Sequence, residues 1–219
     1  MSALRGQRVL VSAGPTYEDI DPVRFIGNRS SGKMGFAIAA AAARRGAQVV
    51  LVAGPVQLAT PEGVQRIDVR SAARMFDAVM AALPCDVYIG AAAVADFTPA
   101  SVAAHKIKKR ADGDEGLSIE LVRTRDILAA VAAHAQRPRC VVGFAAETGD
   151  LGHYARDKLA RKRVDLIAAN RVGVAGSGFD ADENALVAYW ADGQRAIGPA
   201  AKTRVAEDLL DLIEERCGA

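Results

Sequence analysis

An apolar run, Val9-Leu10-Val11, leads into the polar stretch Ser12-Ala13-Gly14-Pro15-Thr16, and a second polar stretch, Asn28-Arg29-Ser30-Ser31-Gly32-Lys33-Met34-Gly35, ends where an alanine-rich segment begins. The apolar run is typical of a buried strand, and residues 36–45 have the pattern of a helix. A strand, a loop rich in glycine and serine and a helix N-terminus form an anion site in many α/β proteins, because backbone N–H groups and the helix dipole point at the ligand. The loop is also longer than an ordinary connection between a strand and a helix. The stretch therefore predicts an α/β fold that binds an anion after its first strand.

Short apolar runs alternate with helical patterns along the rest of the chain. The predicted strands are residues 8–13, 48–52, 65–69, 86–91, 140–144 and 166–169, and the predicted helices are residues 33–45, 72–83, 126–135, 154–163 and 202–216. Most of these strands are continuously apolar, as expected of parallel strands covered on both faces. We therefore predict one domain, residues 1–219, with a Rossmann-like, doubly wound, mostly parallel sheet and helices on both faces.

Two segments, residues 95–123 and 172–197, interrupt this alternation. Residues 117–122 alternate enough to predict a strand, and residues 185–190 and 194–197 predict an antiparallel pair around Asp192-Gly193. We interpret both segments as an antiparallel excursion from the parallel core, and both are candidates for contact with a partner subunit.

Composition restricts the class of protein. The chain has 219 residues, of which 51% are hydrophobic and 25% charged, and its formal net charge is +2. These values are typical of a globular protein, and the charge is too small to favour nucleic acid or a membrane surface as a partner. Three cysteines without CxxC spacing predict neither a disulfide framework nor a structural zinc site, with Cys85 and Cys140 as buried small side chains. No signal-peptide core or membrane-spanning run is present, so we expect a cytoplasmic protein.

The loop before the first helix has neither a GxGxxG nor a GxxxxGK[ST] motif. Within six positions it offers one amide (Asn28), two hydroxyls (Ser30 and Ser31), an unhindered backbone (Gly32) and a cation (Lys33). These groups favour phosphate binding. The alternative is a structural loop whose serines cap the following helix.

Two further strands end in residues suited to a ligand. The fourth predicted strand ends in small residues, Gly90-Ala91-Ala92, and Asp96 follows them. Small residues at the carboxyl edge of a sheet let a ligand approach the backbone. Asp96 is able to accept hydrogen bonds from ribose hydroxyls or an amino group, hold a metal, or cap a helix or turn. Phe144, at the end of the fifth strand, either stacks on a ring or belongs to the core.

Two groups of basic residues are candidates for binding phosphates. The run Lys106-Ile107-Lys108-Lys109-Arg110 is dense, although such runs usually form a solvated surface. Lys158 and Lys162 lie one turn apart on a predicted helix, where like charges repel unless an anion lies between them. An opposite-charge pair on the same helix, Asp157 and Arg161, leaves an ordinary charged face as the alternative. Together with the anion loop, these groups favour a polyphosphate ligand.

With these motifs in place, the chain resembles the phosphopantothenate–cysteine ligases, in particular the bacterial CTP-dependent type. The resemblance spans most of the chain in the family's order. The motifs that carry it are Ser12-Ala13-Gly14-Pro15-Thr16, Asp21-Pro22-Val23-Arg24, Asn28-Arg29-Ser30-Ser31-Gly32-Lys33-Met34-Gly35, Ala92-Ala93-Val94-Ala95-Asp96, Lys106-Ile107-Lys108-Lys109 and Gly143-Phe144-Ala145-Ala146-Glu147-Thr148. Ser12 stands where threonine is common in the family, and Arg125 where proline is common.

The resemblance implies a reaction in coenzyme A biosynthesis. The carboxylate of 4′-phosphopantothenate attacks the α-phosphate of CTP, pyrophosphate leaves, and the amine of L-cysteine displaces CMP from the acyl-cytidylate. It also implies Mg²⁺ as the cofactor, a homodimer with sites completed at the subunit interface, and in many relatives fusion to an N-terminal flavin-dependent decarboxylase domain.

The resemblance also assigns residues. Asn28 is implied near the reacting acyl group, and we expect it to act in the amide-forming step. The nucleotide is implied to contact Gly90, Ala91, Ala92, Asp96, Lys106, Arg125, Asp126, Ile127, Leu128, Phe144, Lys158 and Lys162. The loop with Gly14, Ser30, Ser31, Gly32 and Lys33 is left for the acyl substrate or its phosphate, and no metal ligand is assigned.

Two other classes of protein compete with the ligase. A Rossmann-type NADP-dependent oxidoreductase predicts a charged residue that selects the ribose after the second strand, yet Val56-Gln57-Leu58 follows there. A nucleotide-binding module without catalytic activity is the third hypothesis. Release of pyrophosphate that requires CTP, phosphopantothenate and the protein together separates the ligase from both.

Overall fold

The computed structural model describes residues 2–108, 116–147, 149–171 and 181–218. In chain order the strands are β1 (Arg8–Ala13), β2 (Tyr17–Asp19), β3 (Phe25–Gly27), β4 (Gln48–Ala53), β5 (Val64–Asp68), β6 (Val87–Gly90), β7 (Phe97–Pro99), β8 (Leu121–Arg123), β9 (Cys140–Glu147), β10 (Leu166–Arg171), β11 (Glu183–Trp190) and β12 (Gly193–Ala201). The helices are α1 (Lys33–Arg44), α2 (Ala72–Ala81), α3 (Ile127–Ala132), α4 (Leu151–Lys162) and α5 (Lys202–Cys217).

Eight of these strands form the central sheet, in the order β12-β11-β10-β9-β6-β1-β4-β5. The six strands from β10 to β5 are parallel, and β11 and β12 are antiparallel to their neighbours. The predicted doubly wound, mostly parallel sheet is therefore confirmed. The strand order reverses between β1 and β6, and such a reversal opens a crevice at the carboxyl ends of the strands.

The sheet is covered on both faces. On one face, Val11 of β1 packs in a buried cluster with Ile38 of α1 and Leu209 of α5. On the other face, the neighbouring Leu10 belongs to a cluster with Val131 of α3. Successive side chains of a strand point to opposite faces, so a strand with two covered faces must be apolar at every position. This explains the continuous apolar runs of the sequence.

The two interrupting segments differ from each other in the structure. The predicted antiparallel pair is confirmed as β11 and β12, which extend the main sheet beyond β10 instead of leaving it. Burial of Leu186 in the core holds them there. The predicted strand at residues 117–122 is shorter, since only β8 is a strand, and it pairs with β7 in a separate two-stranded sheet. Residues 172–180 lie outside the described residues.

The hairpin of β2 and β3 was not predicted, and a buried carboxylate closes it. Asp21 accepts hydrogen bonds from the backbone N–H groups of Val23 (2.8 Å), Arg24 (2.9 Å) and Ile107 (3.1 Å), and from the Arg24 guanidinium. Burial acts to raise the pKa of Asp21, but these hydrogen bonds outweigh it and hold the pKa well below its usual range. The Asp21–Arg24 motif thus fastens the basic segment around Ile107 to the hairpin.

The cysteines behave only partly as predicted. Cys140 is buried as expected, but its sulfur is joined to Cys217 in a disulfide, whereas the sequence predicts none. The two residues are 77 positions apart and meet because the end of α5 lies against the start of β9. Cys85 is a free thiol, and burial raises its pKa to about 12. Within the described ranges, no helix is long and apolar enough to cross a bilayer.

Candidate active site

Two cavities lie side by side at the carboxyl edge of the central sheet. The first has a volume of about 610 Å³ and extends from β6 toward α3 and α4. The second has a volume of about 500 Å³ and extends toward the N-terminus of α1 and the start of α5. Six residues line both cavities, and we call them the shared wall: Ala92, Val94, Asp96, Phe144, Glu147 and Lys158. Two ligands in these cavities would therefore meet at the shared wall.

Most residues expected to bind the nucleotide line the first cavity: Gly90, Ala92, Asp96, Arg125, Asp126, Ile127, Leu128, Phe144, Lys158 and Lys162. Ala91 lines the second cavity instead. The structure does not bring Lys106 to either cavity; its side chain is exposed, and the neighbouring Ile107 is bonded to Asp21. Lys109 and Arg110 lie outside the described residues.

The predicted anion loop lies at the N-terminus of α1. Asn28, Ser30, Ser31, Gly32 and Lys33 all line the second cavity. Gly32 precedes the helix with a positive φ of 74°, and no side chain caps α1. The N-cap residue is thus a glycine and not a serine, while the Ser30 Oγ accepts a 3.3 Å hydrogen bond from the Gly32 N–H just before the helix.

Gly14 packs against the anion loop. Its φ is +79°, and it lies so near Gly32 that a Cβ on Gly32 would be 3.4 Å from the Gly14 Cα. Gly14 is absent from the lining of both cavities. It shapes the anion loop without being placed to contact a ligand.

Asn28 joins the same loop to the end of β6. Its Nδ2 donates hydrogen bonds to the carbonyl oxygens of Val94 (3.0 Å) and Ala93 (3.4 Å). Val94 belongs to the shared wall, so the amide of Asn28 lies beside the place where two ligands would meet.

Lys158 is the cation of the shared wall. Its Nζ donates a 2.8 Å hydrogen bond to the carbonyl oxygen of Phe144. Burial lowers the pKa of Lys158, and the negative charges of Glu147 and Asp96 oppose this shift. A desolvated ammonium with one carbonyl partner retains donors for an anion in either cavity.

Lys162 lies one turn further along α4 and has a different partner. It forms an ion pair with Asp126, whose carboxylate also caps α3 by accepting a 3.0 Å hydrogen bond from the Ala129 N–H. Asp126 thus offsets the charge of Lys162, and Glu147 and Asp96 act on Lys158, so the closeness of the two lysines does not by itself require a phosphate. Both lysines nevertheless line the first cavity.

Asp96 and Phe144 both lie on the shared wall. Asp96 stands immediately before β7 and next to no helix, so it does not cap a helix; the turn-cap and ligand-binding alternatives stay open. Phe144 packs against the core on the α1 face, as one alternative predicts, and it also lines both cavities, where stacking on a ring stays a prediction.

Several lining residues were missed. Tyr88 is buried below the first cavity, and its hydroxyl is 2.9 Å from the Ser12 Oγ. Lys202 is only 7% exposed, lines the second cavity and donates from Nζ to the carbonyl oxygen of Ala181. Glu147 and Asn170 lie near the carboxyl ends of β9 and β10, so the strand-end rule would have found them. No local signal marks Lys202.

The comparisons with known proteins decide the family. A family model described as "DNA/pantothenate metabolism flavoprotein C-terminal domain" matches residues 4–217. The chain belongs to this family. It is 50% identical over 214 residues to the coenzyme A biosynthesis bifunctional protein CoaBC of Escherichia coli K12, covering 97% of this chain and 53% of that protein. It is 52% identical over 214 residues to CoaBC of Vibrio cholerae, with the same coverage. The chain thus spans about half the length of these relatives.

Solved structures agree with this membership. The crystal structure of the C-terminal domain of a CoaBC protein is 40% identical, with a TM-score of 0.81, and the match covers 98% of this chain and 97% of that one. A complex of the Cab2 mutant H337A with phosphopantothenate-cysteine has the same fold, with a TM-score of 0.79 at 16% identity. The oxidoreductase alternative is not favoured by any of these similarities.

Proposed function

We propose that this chain is a phosphopantothenate–cysteine ligase domain that joins 4′-phosphopantothenate to L-cysteine and cleaves CTP to CMP and pyrophosphate. The observation that carries the proposal is the pair of cavities with a shared wall, in a member of this family. A ligation through an acyl-nucleotide requires a nucleotide and a carboxylate to meet, and the wall supplies one cation, Lys158, at their junction.

The first cavity suits the nucleotide. Gly90 and Ala92 leave the sheet edge open to a flat base, and Phe144 offers an aromatic surface. Lys158 and Lys162 supply positive charge for phosphates. Asp96 is placed at the mouth of both cavities, where its carboxylate would accept hydrogen bonds from ribose hydroxyls. We do not place Lys106 here, since it lies outside both cavities.

The second cavity suits the acyl substrate. Its far end is the N-terminus of α1, where Ser30, Ser31 and Lys33, which is ion-paired with Asp182, line the cavity, and the helix dipole and the hydroxyls suit the 4′-phosphate. An extended substrate anchored there would direct its carboxylate toward the shared wall. The two anions would then meet beside Lys158.

The chemistry divides into two steps. A substrate carboxylate oxygen first bonds to the α-phosphorus while the bond to pyrophosphate breaks. The cysteine nitrogen then bonds to the acyl carbon while the bond to CMP breaks. Positioning two anions and offsetting their charge supply much of the rate of the first step. In the second step, the neutral amide of Asn28 would exchange its longer, 3.4 Å hydrogen bond to the Ala93 carbonyl for one to the acyl oxygen and so stabilise negative charge there.

We propose Mg²⁺ as the cofactor. In the described ranges, no group of three or more metal-ligating side chains is present. Mg²⁺ commonly binds through substrate phosphates and one or two carboxylates, and Asp96 fits that donor set. The ion would supply neutralisation of the triphosphate charge.

We propose that a second copy of the chain covers the two small hairpins. Of the large apolar side chains left exposed in the described residues, all but Tyr154 lie at positions 23–25 and 97–122. Phe25 and Phe97 are 45% and 47% exposed, and Phe97 also lines the first cavity, so a dimer built there would border the nucleotide. Sedimentation that shows a monomer at working concentration would contradict this proposal, and Phe25→Glu is expected to dissociate the dimer.

The length of the relatives supports a proposal about the whole protein. Because the chain spans half of proteins named as bifunctional, we propose that the natural protein also carries an N-terminal flavin-dependent decarboxylase domain. Its mass in a cell extract tests this. We also propose a cytoplasmic location, which cell fractionation tests.

The experiment that tests the function is pyrophosphate release with each component omitted in turn. We expect release that requires the protein, CTP and phosphopantothenate together, and a slower reaction with ATP. Release that does not depend on phosphopantothenate would contradict the ligase.

A further inference from the structure

The shared wall holds a carboxylate that the roles above leave unused. Glu147 is the last residue of β9 and lies three positions beyond Phe144, whose carbonyl oxygen binds Lys158. Its side chain is half-buried and lines both cavities. It therefore borders the place where the acyl carbon and the α-phosphate would meet.

The amide-forming step needs a proton acceptor at this place. Cysteine nitrogen enters largely as an ammonium and loses one proton to water before it attacks. When its C–N bond to the acyl carbon has formed, the nitrogen still carries one surplus proton. That proton must leave as the C–O bond to phosphate breaks and CMP departs with the electron pair. If it stays on nitrogen, the amine is the better leaving group and the new C–N bond breaks in place of the C–O bond. A positioned carboxylate typically accelerates such a transfer by about 10²–10⁴-fold.

The described residues of the two cavities offer few acceptors. None of the three histidines lines either cavity. The carboxylates of the shared wall are Asp96 and Glu147, and Asp96 is the more exposed one, on the segment assigned to the nucleoside. Glu147 lies on the strand that also supplies Phe144, between the two cavities.

Resting on the proposed function, we propose that Glu147 binds the amino group of L-cysteine and accepts its proton during amide formation. The carboxylate attracts the incoming ammonium and then takes the surplus proton from nitrogen as CMP leaves. Glu147 would thus be catalytic in the second step and dispensable for the chemistry of the first.

A positioning role is the competing explanation, because the Glu147 charge also acts on Lys158. The two roles differ in which step they affect. Loss of support for Lys158 would weaken nucleotide binding and slow acyl-cytidylate formation. Loss of a proton acceptor would slow only the attack of an amine that needs one.

The test uses Glu147→Gln in the full chain, with Glu62→Gln as the matched control, since Glu62 is exposed and lines neither cavity. Three rates are measured: pyrophosphate release in one turnover without cysteine, amide formation with cysteine, and hydroxamate formation with hydroxylamine. Hydroxylamine is already unprotonated at neutral pH, and its adduct is acidic enough to lose the surplus proton to water.

We expect E147Q to release pyrophosphate and form hydroxamate within about threefold of the wild type, while amide formation falls by about 100-fold. E62Q should match the wild type in all three rates. Glu147→Asp, which keeps a carboxylate, should form the amide at least tenfold faster than E147Q. If E147Q does not fold, the same comparison of nucleophiles is made with E147D, in which a smaller loss should again be confined to cysteine.

Equal losses with cysteine and hydroxylamine, slow pyrophosphate release, or an unimpaired reaction with cysteine would each overturn the role of Glu147. A wild-type protein that releases no pyrophosphate from CTP and phosphopantothenate would instead overturn the proposed function, together with this assignment.

Discussion

Substitution of Lys158 by methionine tests the junction of the two cavities. Methionine keeps much of the side chain's length and removes the charge. A hydrogen bond to a charged group is worth about 1.5–3 kcal/mol, and each 1.4 kcal/mol is a tenfold change in affinity. We therefore expect K158M to bind CTP about 10- to 150-fold more weakly, measured by calorimetry. Binding of cytidine, which has no phosphate, should change little.

The folded state should tolerate this change. Burial lowers the pKa of Lys158, so the charged form costs free energy in the folded protein, and methionine removes that cost along with the hydrogen bond to Phe144. The control is Arg156→Met on the same helix, because Arg156 bonds Gln194 and lies over the Tyr189 ring outside both cavities. The reasoning would be refuted if K158M bound CTP within threefold of the wild type, or if R156M lost as much affinity.

Three further substitutions test other parts of the site and fold. Asn28→Asp removes the donor to Val94 and Ala93, so we expect acyl-cytidylate formation to continue and amide formation to slow. Normal amide formation by this variant would contradict the role of Asn28. Asp21→Asn should lower the Tm at pH 7. The difference from the wild type should shrink as the pH falls below about 4, the unfolded pKa of an aspartate, because the stability from a lowered folded-state pKa is full above that value and is lost as the pH falls toward the folded-state pKa. Gly35→Ala places a Cβ 2.4 Å from that of Ala13 and should cost about 1–3 kcal/mol in urea unfolding. Gly116→Ala, whose new Cβ would have no described atom within 4 Å, should cost almost nothing.

The parallel core was predictable because its strands are buried on both faces. Residues 8–13 match β1 in full, and α1 ends one residue before its predicted end, with Gly46 at a positive φ of 87° just after it. The hairpin of β2 and β3 escaped prediction because three-residue strands with polar side chains carry no usable periodicity. Its closure depends on Asp21 reaching Ile107, a contact that the sequence does not mark.

The site residues at the ends of strands were predictable from the sequence, and those that depend on helix packing were less so. Asp96 follows β6 and Phe144 lies in the second half of β9, and the rule for the carboxyl edges of parallel strands places them together. The partner of Lys162 is Asp126, 36 positions earlier, and only the packing of α3 beside α4 brings the two together. In the same way, Lys202 reaches the second cavity because α5 lies beside α1. Pairings of this kind depend on tertiary structure and leave no periodic signal.

The most direct test of the two-step account follows the oxygen atoms of the substrate. Phosphopantothenate labelled with ¹⁸O in both carboxylate oxygens is converted with CTP and cysteine, and the masses of the products are measured by mass spectrometry. If the carboxylate attacks the α-phosphate at the shared wall, one ¹⁸O must appear in CMP and none in pyrophosphate. Label in inorganic phosphate or pyrophosphate, with unlabelled CMP, would contradict an acyl-cytidylate and the proposed meeting of the two substrates.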